Sequence, residues 1–559
     1  LWHNMKKALG NSGYIGADKS LSSEGIIVPG KTYNEVISGD PNFLPHNLPP
    51  RELILIVDTT KAGATGATQF ELEMNSTTAV YSVEWGDGQK DLNITNDITH
   101  TYASSGIYQV KITGNTYIYY QGSNDGDKII EIRNFGFDWQ PISNYRSFYN
   151  CSNFDIHSKV APNLPNSVSA DNMFRSAVSM TGKHANWDWD LTNVTSVANM
   201  FYGCHTFDAD LSNFKVHTLN GGGASSLGSM LYDCHAFNNG GSPYINNWDT
   251  SNVTSLGSLF FDNNLFNQPI GNWDTSNVTS ISQTFYQAAI FNQNIGSWDV
   301  SNVTSMYRTF RQATQFNNGG NDSIKNWDVS NVTTFTDCFY STNFNHPIES
   351  WDVSGTTSTT AFQTMFFGTP FNHPLAAWSS SIRGSLASMF YNCDSFDQDL
   401  GSWDMSSVTS LSQFMYASAI FNNASTGSIN SWNMSSCTSF YRAFRSCGQF
   451  NQPVGGWTMN TSSNYSVQEM LRVTPSFDQS LAGWNISRLS NGTNFLNGVT
   501  LSTNNYDATL EAWGAQSGSV ISGVNIHFGG SEYTSGSLAD QRRQKLIDAG
   551  WTITDGGYA

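Results

Sequence analysis

Three sets of residues in this chain have the types and spacing to do chemistry. The first is a column of aspartates, Asp249, Asp274, Asp299, Asp328 and Asp352, each directly after a tryptophan in a W-D-x-S motif. If these motifs stack at strand spacing, about 4.8 Å, the carboxylates repel one another unless something compensates them. A calcium ladder is one answer, because Ca²⁺ takes clustered carboxylate oxygens. The simpler and preferred answer is that each Asp accepts backbone N–H groups of its own D-x-S turn. No cofactor is therefore expected, and Ca²⁺ is the one ion the pattern admits.

The second set is two Cys-His pairs, Cys204-His205 and Cys234-His235, one motif apart. Two cysteines and two histidines can hold Zn²⁺. Neighbouring residues of a coil face opposite ways, however, and the cysteine column reads as interior, so a structural role is expected and no metal site. His346 and His373 recur in FNHP where other copies carry Gln268 or Gln293, and are read as exposed turn residues.

The third set is a column that alternates between aromatic and cationic side chains: Tyr149, Arg175, Tyr202, Tyr232, Phe261, Tyr286, Arg311, Tyr340, Phe367, Tyr391, Tyr416, Arg445 and Arg472. A position that accepts Tyr or Arg is not deep core, because Arg is almost never buried unpaired. Tyr and Arg also dominate binding hot spots. The expected binding stripe is Tyr202, Tyr232, Tyr286, Arg311, Tyr340, Tyr391, Tyr416 and Arg445; the competing reading is amphipathic shielding of the core edge. No G-x-S-x-G, H-E-x-x-H, Walker loop or dinucleotide fingerprint occurs. Acidic pairs fall only in periodic slots, whereas an active site needs one singular arrangement, so no enzyme is expected.

All of these residues are positioned by an internal repeat. The stretch Trp273 to Ile295, WDTSNVTSISQTFYQAAIFNQNI, returns at once as Trp298 to Asn317, WDVSNVTSMYRTFRQATQFN. Aligned on the residue before the Tyr/Arg column there are 14 copies, from Phe148 to Phe495, at steps of 24 to 30 residues. A fixed period of this size marks stacked units that cannot bury their apolar face alone. Long helices are excluded by the density of Ser, Thr, Asn and Gly and by proline just after the FN pair, at Pro269, Pro347, Pro374 and Pro453. The unit is also shorter than the roughly 33 to 47 residues of helical repeats. A coil with one short strand (NVTS) and one tight helical or 3₁₀ turn (TFYQA) is predicted. Asn193, Asn252, Asn277, Asn302 and Asn331 begin NVT sequons, and their fixed slot predicts side chains that bond between coils.

The pattern resembles the BspA-like leucine-rich-repeat surface proteins of bacteria, whose unit reads W-D-x-S-x-V-T-x-M-x-x-M-F-x-x-A/C-x-x-F-N-Q-x-I. Ser388 to Leu411, SMFYNCDSFDQDLGSWDMSSVTSL, carries nearly every element, and the likeness covers roughly residues 145 to 505. It implies an extracellular, non-enzymatic binding or adhesion role.

Upstream, LILIVDTT, QFELEM, YSVEWGDG and GIYQVKITG alternate as strands of a β-sandwich do. The W-G-D-G of Trp85 to Gly88 and the H-T-Y of His100 to Tyr102 resemble a PKD-type immunoglobulin-like domain, in which Trp85 and Tyr102 are expected in the core. The predicted fold is mainly β: an extended arm (1–50), a β-sandwich (51–114), a first strand and N-cap (115–147), a leucine-rich-repeat-like solenoid of short strands and short helical turns (148–501) and a small C-terminal α/β cap (502–559). The cap resembles the closing module of BspA-like proteins. Its one clear helix is placed at Ser537 to Ala549, with Leu538, Leu546 and Ile547 inward.

A net charge of −18 excludes nucleic acid as a partner, since phosphates need Lys and Arg to neutralise them. No run of about 18 apolar residues occurs, so no membrane insertion is expected. The first 20 residues hold no apolar h-region, so a signal is expected to have been removed before Leu1 or never used. Seven cysteines, five of them in the column that holds Ala288 and Ala313, read as packed free thiols. The expected function is recognition of host-cell or cell-surface proteins or glycans from an extracellular, surface-displayed position. The alternatives are a phage virion appendage, fibre or decoration, at the virion surface, or a lattice or filament subunit that self-associates or docks through the arm.

Overall fold

The computed structural model describes residues 51–559 apart from 75–77, 121–124, 137–138, 142–144, 163, 165–167, 193 and 217–224; the arm expected at 1–50 lies outside the described residues. The molecule is mainly strands and turns, with no closed barrel. The first strands are β1 (Leu53–Asp58), β2 (Gln69–Leu72), β3 (Val80–Glu84), β4 (Lys90–Ile94), β5 (Ile98–Thr101) and β6 (Ile107–Thr116). They are followed by β7 (Ile129–Asn134), β8 (Trp139–Pro141) and β9 (Asp155–Ile156). One sheet runs β4-β3-β6-β1-β7-β9 with β8 alongside β6, while β2 and β5 pair separately. The LILIV run of β1 lies between β6 and β7 and is buried on both faces, which is why it is apolar without alternation. Strand β3, nearer the edge, alternates and turns Tyr81 and Val83 inward.

The W-G-D-G turn closes on the H-T-Y segment. Trp85 is fully buried, donates from Nε1 to Asp91, and accepts the Tyr102 hydroxyl at its carbonyl, 3.1 Å away. His100 stacks on Trp85 at 4.7 Å and its Nε2 lies 2.8 Å from Asp87. Gly86 has φ of 86°, and a Cβ there would meet the Gln109 backbone at 2.6 Å, so only glycine lets the turn lie this close to β6.

The boundary expected at 114/115 cuts through β6. Strand β7, expected as part of a separate cap, pairs antiparallel with β1, and β9 of the first repeat adds parallel to β7. The sheet therefore runs straight into the repeats, because β7 has a backbone edge on each side to satisfy.

Within the repeats, the NVTS segments pair in parallel with their neighbours, as Val253–Ser255 does with Ser225–Ser226 and as Ser255, Ser280 and Ser305 do in succession. The helical or 3₁₀ turn expected at TFYQA is instead a ribbon of consecutive turns. N–H groups of Thr284, Tyr286 and Ala288 return to carbonyls three residues back, while those of Gln283, Phe285 and Gln287 donate to the next coil at Tyr307, Thr309 and Arg311. Alternate N–H groups are thus committed to a neighbour, which a helix does not allow. Gln283 and Gln287 take φ near 58° and 57°, and similar pairs four apart recur along the stack, such as Ser388 with Asn392. Several are Asn or Asp, which accept this region most readily among non-glycine residues.

Side chains stack in columns. Phe285 lies 5.8 Å from Phe260, 5.5 Å from Phe310 and 4.0 Å from Phe291 of its own coil. Trp273 lies between Trp248 and Trp298, and its Nε1 donates to the Ile245 carbonyl of the coil before. Trp298, Trp351, Trp403, Trp432, Trp457 and Trp484 donate in the same way. The Asn of each FN pair accepts the backbone N–H of its counterpart one coil on, running Asn267–Asn292–Asn317–Asn345–Asn372–Asp397–Asn422–Asn451–Asp478.

The C-terminal end holds α1 (Thr503–Gly514) and α2 (Leu538–Asp548), the α-helices found among the described residues. Only α2 was expected. The α1 helix takes the place of a coil arm: Trp513 stacks 6.1 Å from Trp484 and donates to the Leu481 carbonyl, as repeat tryptophans do. On α2, Leu546 is buried as expected, but Leu538 is 48% exposed and Ile547 is half-buried. The helix is pinned instead by Arg543, which grips the buried Asp555 together with the Tyr506 hydroxyl. No helix among the described residues is long and apolar enough to cross a membrane.

Candidate functional site: a ladder of tyrosine and arginine

The Tyr/Arg column follows the buried Phe column by one residue, so coil stacking brings its side chains together at the flank, all half-buried. Tyr202, Tyr232, Phe261 and Tyr286 stack face to face at 4.3, 4.1 and 4.3 Å with ring planes within 10°. Arg311 continues the stack, its guanidinium 3.8 Å over the Tyr340 ring and 5.9 Å from Tyr286. Tyr340, Phe367, Tyr391 and Tyr416 follow at 4.3, 4.4 and 4.7 Å, and Arg445 closes on Tyr416 at 5.4 Å. All eight residues of the predicted stripe therefore lie in one column. Its ring faces are covered by neighbours, so what it can offer a partner is ring edges, hydroxyls and guanidinium edges. Burial, reinforced by neighbouring Tyr202, pushes the Tyr232 hydroxyl up to about 12, so it stays a neutral donor at physiological pH.

The two arginines are anchored by carboxylates that the sequence reading missed. Arg308 and Arg311 both reach the buried Asp337 of the next coil, at 2.9 and 3.0 Å. Arg442 and Arg445 reach Glu469 of the next coil in the same way, and Arg472, three residues on from Glu469, joins them. Burial alone would raise the Glu469 carboxyl, but the Arg442 bond and the charges of all three arginines outweigh it and hold the carboxyl below its usual range. The signal was present as YRTFRQ and YRAFRS, each followed one period later by an acid two residues before the column phenylalanine or leucine. Each cluster keeps excess positive charge on the flank of an acidic chain.

The other candidates resolve differently. Asp249, Asp274, Asp299, Asp328 and Asp352 are exposed, and each accepts the N–H of the Ser two residues on, at 2.9 to 3.1 Å. The Ser hydroxyl, then the Ser N–H, hold the carboxyls of Asp274, Asp328 and Asp352 low. Each carboxylate is thus partnered within its own turn. Asn277, Asn302 and Asn331 donate to the Ser251, Ser276 and Ser301 carbonyls of the preceding coil; Asn193 lies outside the described residues.

All seven cysteines are free and buried. Their main column is not simply apolar, however: Asn263, Ser418 and Thr474 share it and donate to the preceding coil, as do Cys204 and Cys234 through Sγ at 3.0 Å. Burial pushes the Cys393 thiol up to about 12, so it is an unreactive donor. His346, expected as exposed, is buried between Asp322 and the Asn317 carbonyl, both at 2.7 Å; His373 is half-buried against the Asn345 carbonyl.

No curated protein and no solved structure matches the chain. A family model described as Mycoplasma protein of unknown function, DUF285, matches four times, at residues 137–244, 225–322, 318–427 and 399–513. These matches tile the stacked coils that carry the ladder and span about two thirds of the chain. The chain belongs to the DUF285 family.

Proposed function

We propose that this chain is a non-enzymatic recognition protein, displayed outside the cell, that binds protein or glycan partners along its Tyr/Arg ladder. In this reading the coils form a leucine-rich-repeat-like solenoid and the N-terminal strands a PKD-like spacer that holds it away from its anchorage. One observation supports it above the others: half-buried Tyr and Arg side chains are held in register over successive coils, with their conformational entropy already lost. Preordered amphipathic side chains bind with little further ordering cost. The arginine clusters add positive charge to the same flank and favour partners with acidic groups.

The test is binding of the purified chain to intact cell envelopes and to a glycan array, with Tyr286→Phe, Tyr391→Phe and Tyr416→Phe combined. Phenylalanine keeps the ring stack and removes only the hydroxyls. Binding reduced about tenfold or more, with an unchanged circular dichroism spectrum, is the expected result; undiminished binding overturns the ladder as the interface.

A further inference from the structure

We propose that His205, Asp233 and His235 form a binding site for one divalent transition-metal ion of the Zn²⁺ class. Stacking places the fourth residue after the Phe column beside the second residue after it on the next coil. Among the described coils, only here do those places hold histidine and aspartate together: His205 faces Asp233, and His235 faces Asp262. A periodic scaffold that becomes singular at one point is where a site is to be sought.

The geometry suits a metal. The Asp233 carboxylate lies between the two imidazoles, Oδ2 at 3.1 Å from His205 Nε2 and Oδ1 at 2.7 Å from His235 Nε2. The rings stack at 4.8 Å with 12° between planes, and both Nε2 atoms meet the same Asp233 carboxylate. One ligand atom from each of the three residues falls within 4.8 Å of the others, the only such group among the described residues. Zn²⁺ takes His nitrogen and carboxylate oxygen at about 2.0 to 2.2 Å, so tetrahedral ligands stand about 3.3 Å apart, close to the two nitrogen–carboxylate distances. The adjoining Cys204 and Cys234 take no part, because both thiols are buried and donate inward to carbonyls. Three protein ligands leave one position for water or for a partner's side chain. The ion would clip two coils together beside Tyr202 and Tyr232. The competing arrangement is two plain histidine–aspartate pairs with no affinity for metal.

The deciding measurement is calorimetric titration of the full chain with Zn²⁺, repeated with Co²⁺ to read the visible d–d band. One ion per chain is expected, with at least tenfold weaker binding in Asp233→Asn and loss of both the isotherm and the Co²⁺ band in His205→Ala/His235→Ala. Asparagine tolerates the left-handed backbone of residue 233, where φ is 60°, so that variant isolates the charge. His373→Ala, on a distant coil, should bind as the parent does. No Zn²⁺ binding by the parent, or undiminished binding by the double variant, overturns the site.

Discussion

At the scale of the residue, the WD aspartates are turn acceptors that also carry a pH dependence. The folded carboxyls of Asp274, Asp328, Asp352 and Asp404 sit below the ordinary value, so the stability these four contribute is present above about pH 4 and is lost as pH falls through the folded value. Urea unfolding should therefore change little between pH 7 and 5 and weaken steadily towards pH 3. Asparagine already fills the slot at Asn433 and Asn485, where Oδ1 accepts the same N–H. Asp274→Asn should accordingly stay within about 0.5 kcal/mol of the parent at pH 7, as exposed substitutions that keep their bonds do. Asp274→Ala loses the acceptor and should cost up to about 1 kcal/mol, read by the same urea titration.

At the scale of the element, the tryptophan column makes a paired comparison possible. Trp298 is buried and donates to the Ile270 carbonyl, whereas the buried Trp327 Nε1 has no acceptor. Trp298→Phe gives up packing and one of the two donors on the buried Ile270 carbonyl, which keeps the Trp273 N–H, costing about 2 to 4 kcal/mol. Trp327→Phe removes an unsatisfied donor together with the same packing and should cost clearly less, by about 1 to 2 kcal/mol. Thermal unfolding of the two variants side by side checks the order. Equal losses would mean that the indole bond contributes nothing to coil stacking.

At the scale of the molecule, coils contact mainly their neighbours, so the array should tolerate loss of a whole unit but not loss of its end. Removing residues 273–297 rejoins Asn272 to Trp298 with every column in register and should leave a folded, monodisperse chain. Ending the chain at 502 removes α1 and α2, uncovering the buried Leu481, Trp484 and Phe495, and should give aggregation in size-exclusion chromatography. If the proposed surface display is correct, immunogold labelling of the source material with antibody against the coils will decorate intact envelopes; label on virus particles would instead favour the virion appendage.

The order of residues along the chain determined what depends on periodicity. The period placed the Trp, Phe, Asp, Cys and Tyr/Arg residues in columns, and stacking follows because an isolated unit cannot bury its apolar face. Turn chemistry was also legible, since the D-x-S acceptor and the inter-coil Asn are local or repeat with the period. Contacts whose partners differ between coils were not legible. Asp337 under Arg308 and Arg311, Glu469 under Arg442 and Arg445, and Asp233 beside His205 arise only when one coil is laid on the next with a definite offset. The ribbon of turns was hidden for the same reason. The TFYQA segment reads as a helical or 3₁₀ turn within one coil, and only the neighbouring coil's carbonyls reveal where alternate N–H groups go. The join of β7 to β1 and the coil-replacing role of α1 were likewise decided by which backbone edge and which apolar end remained to be covered.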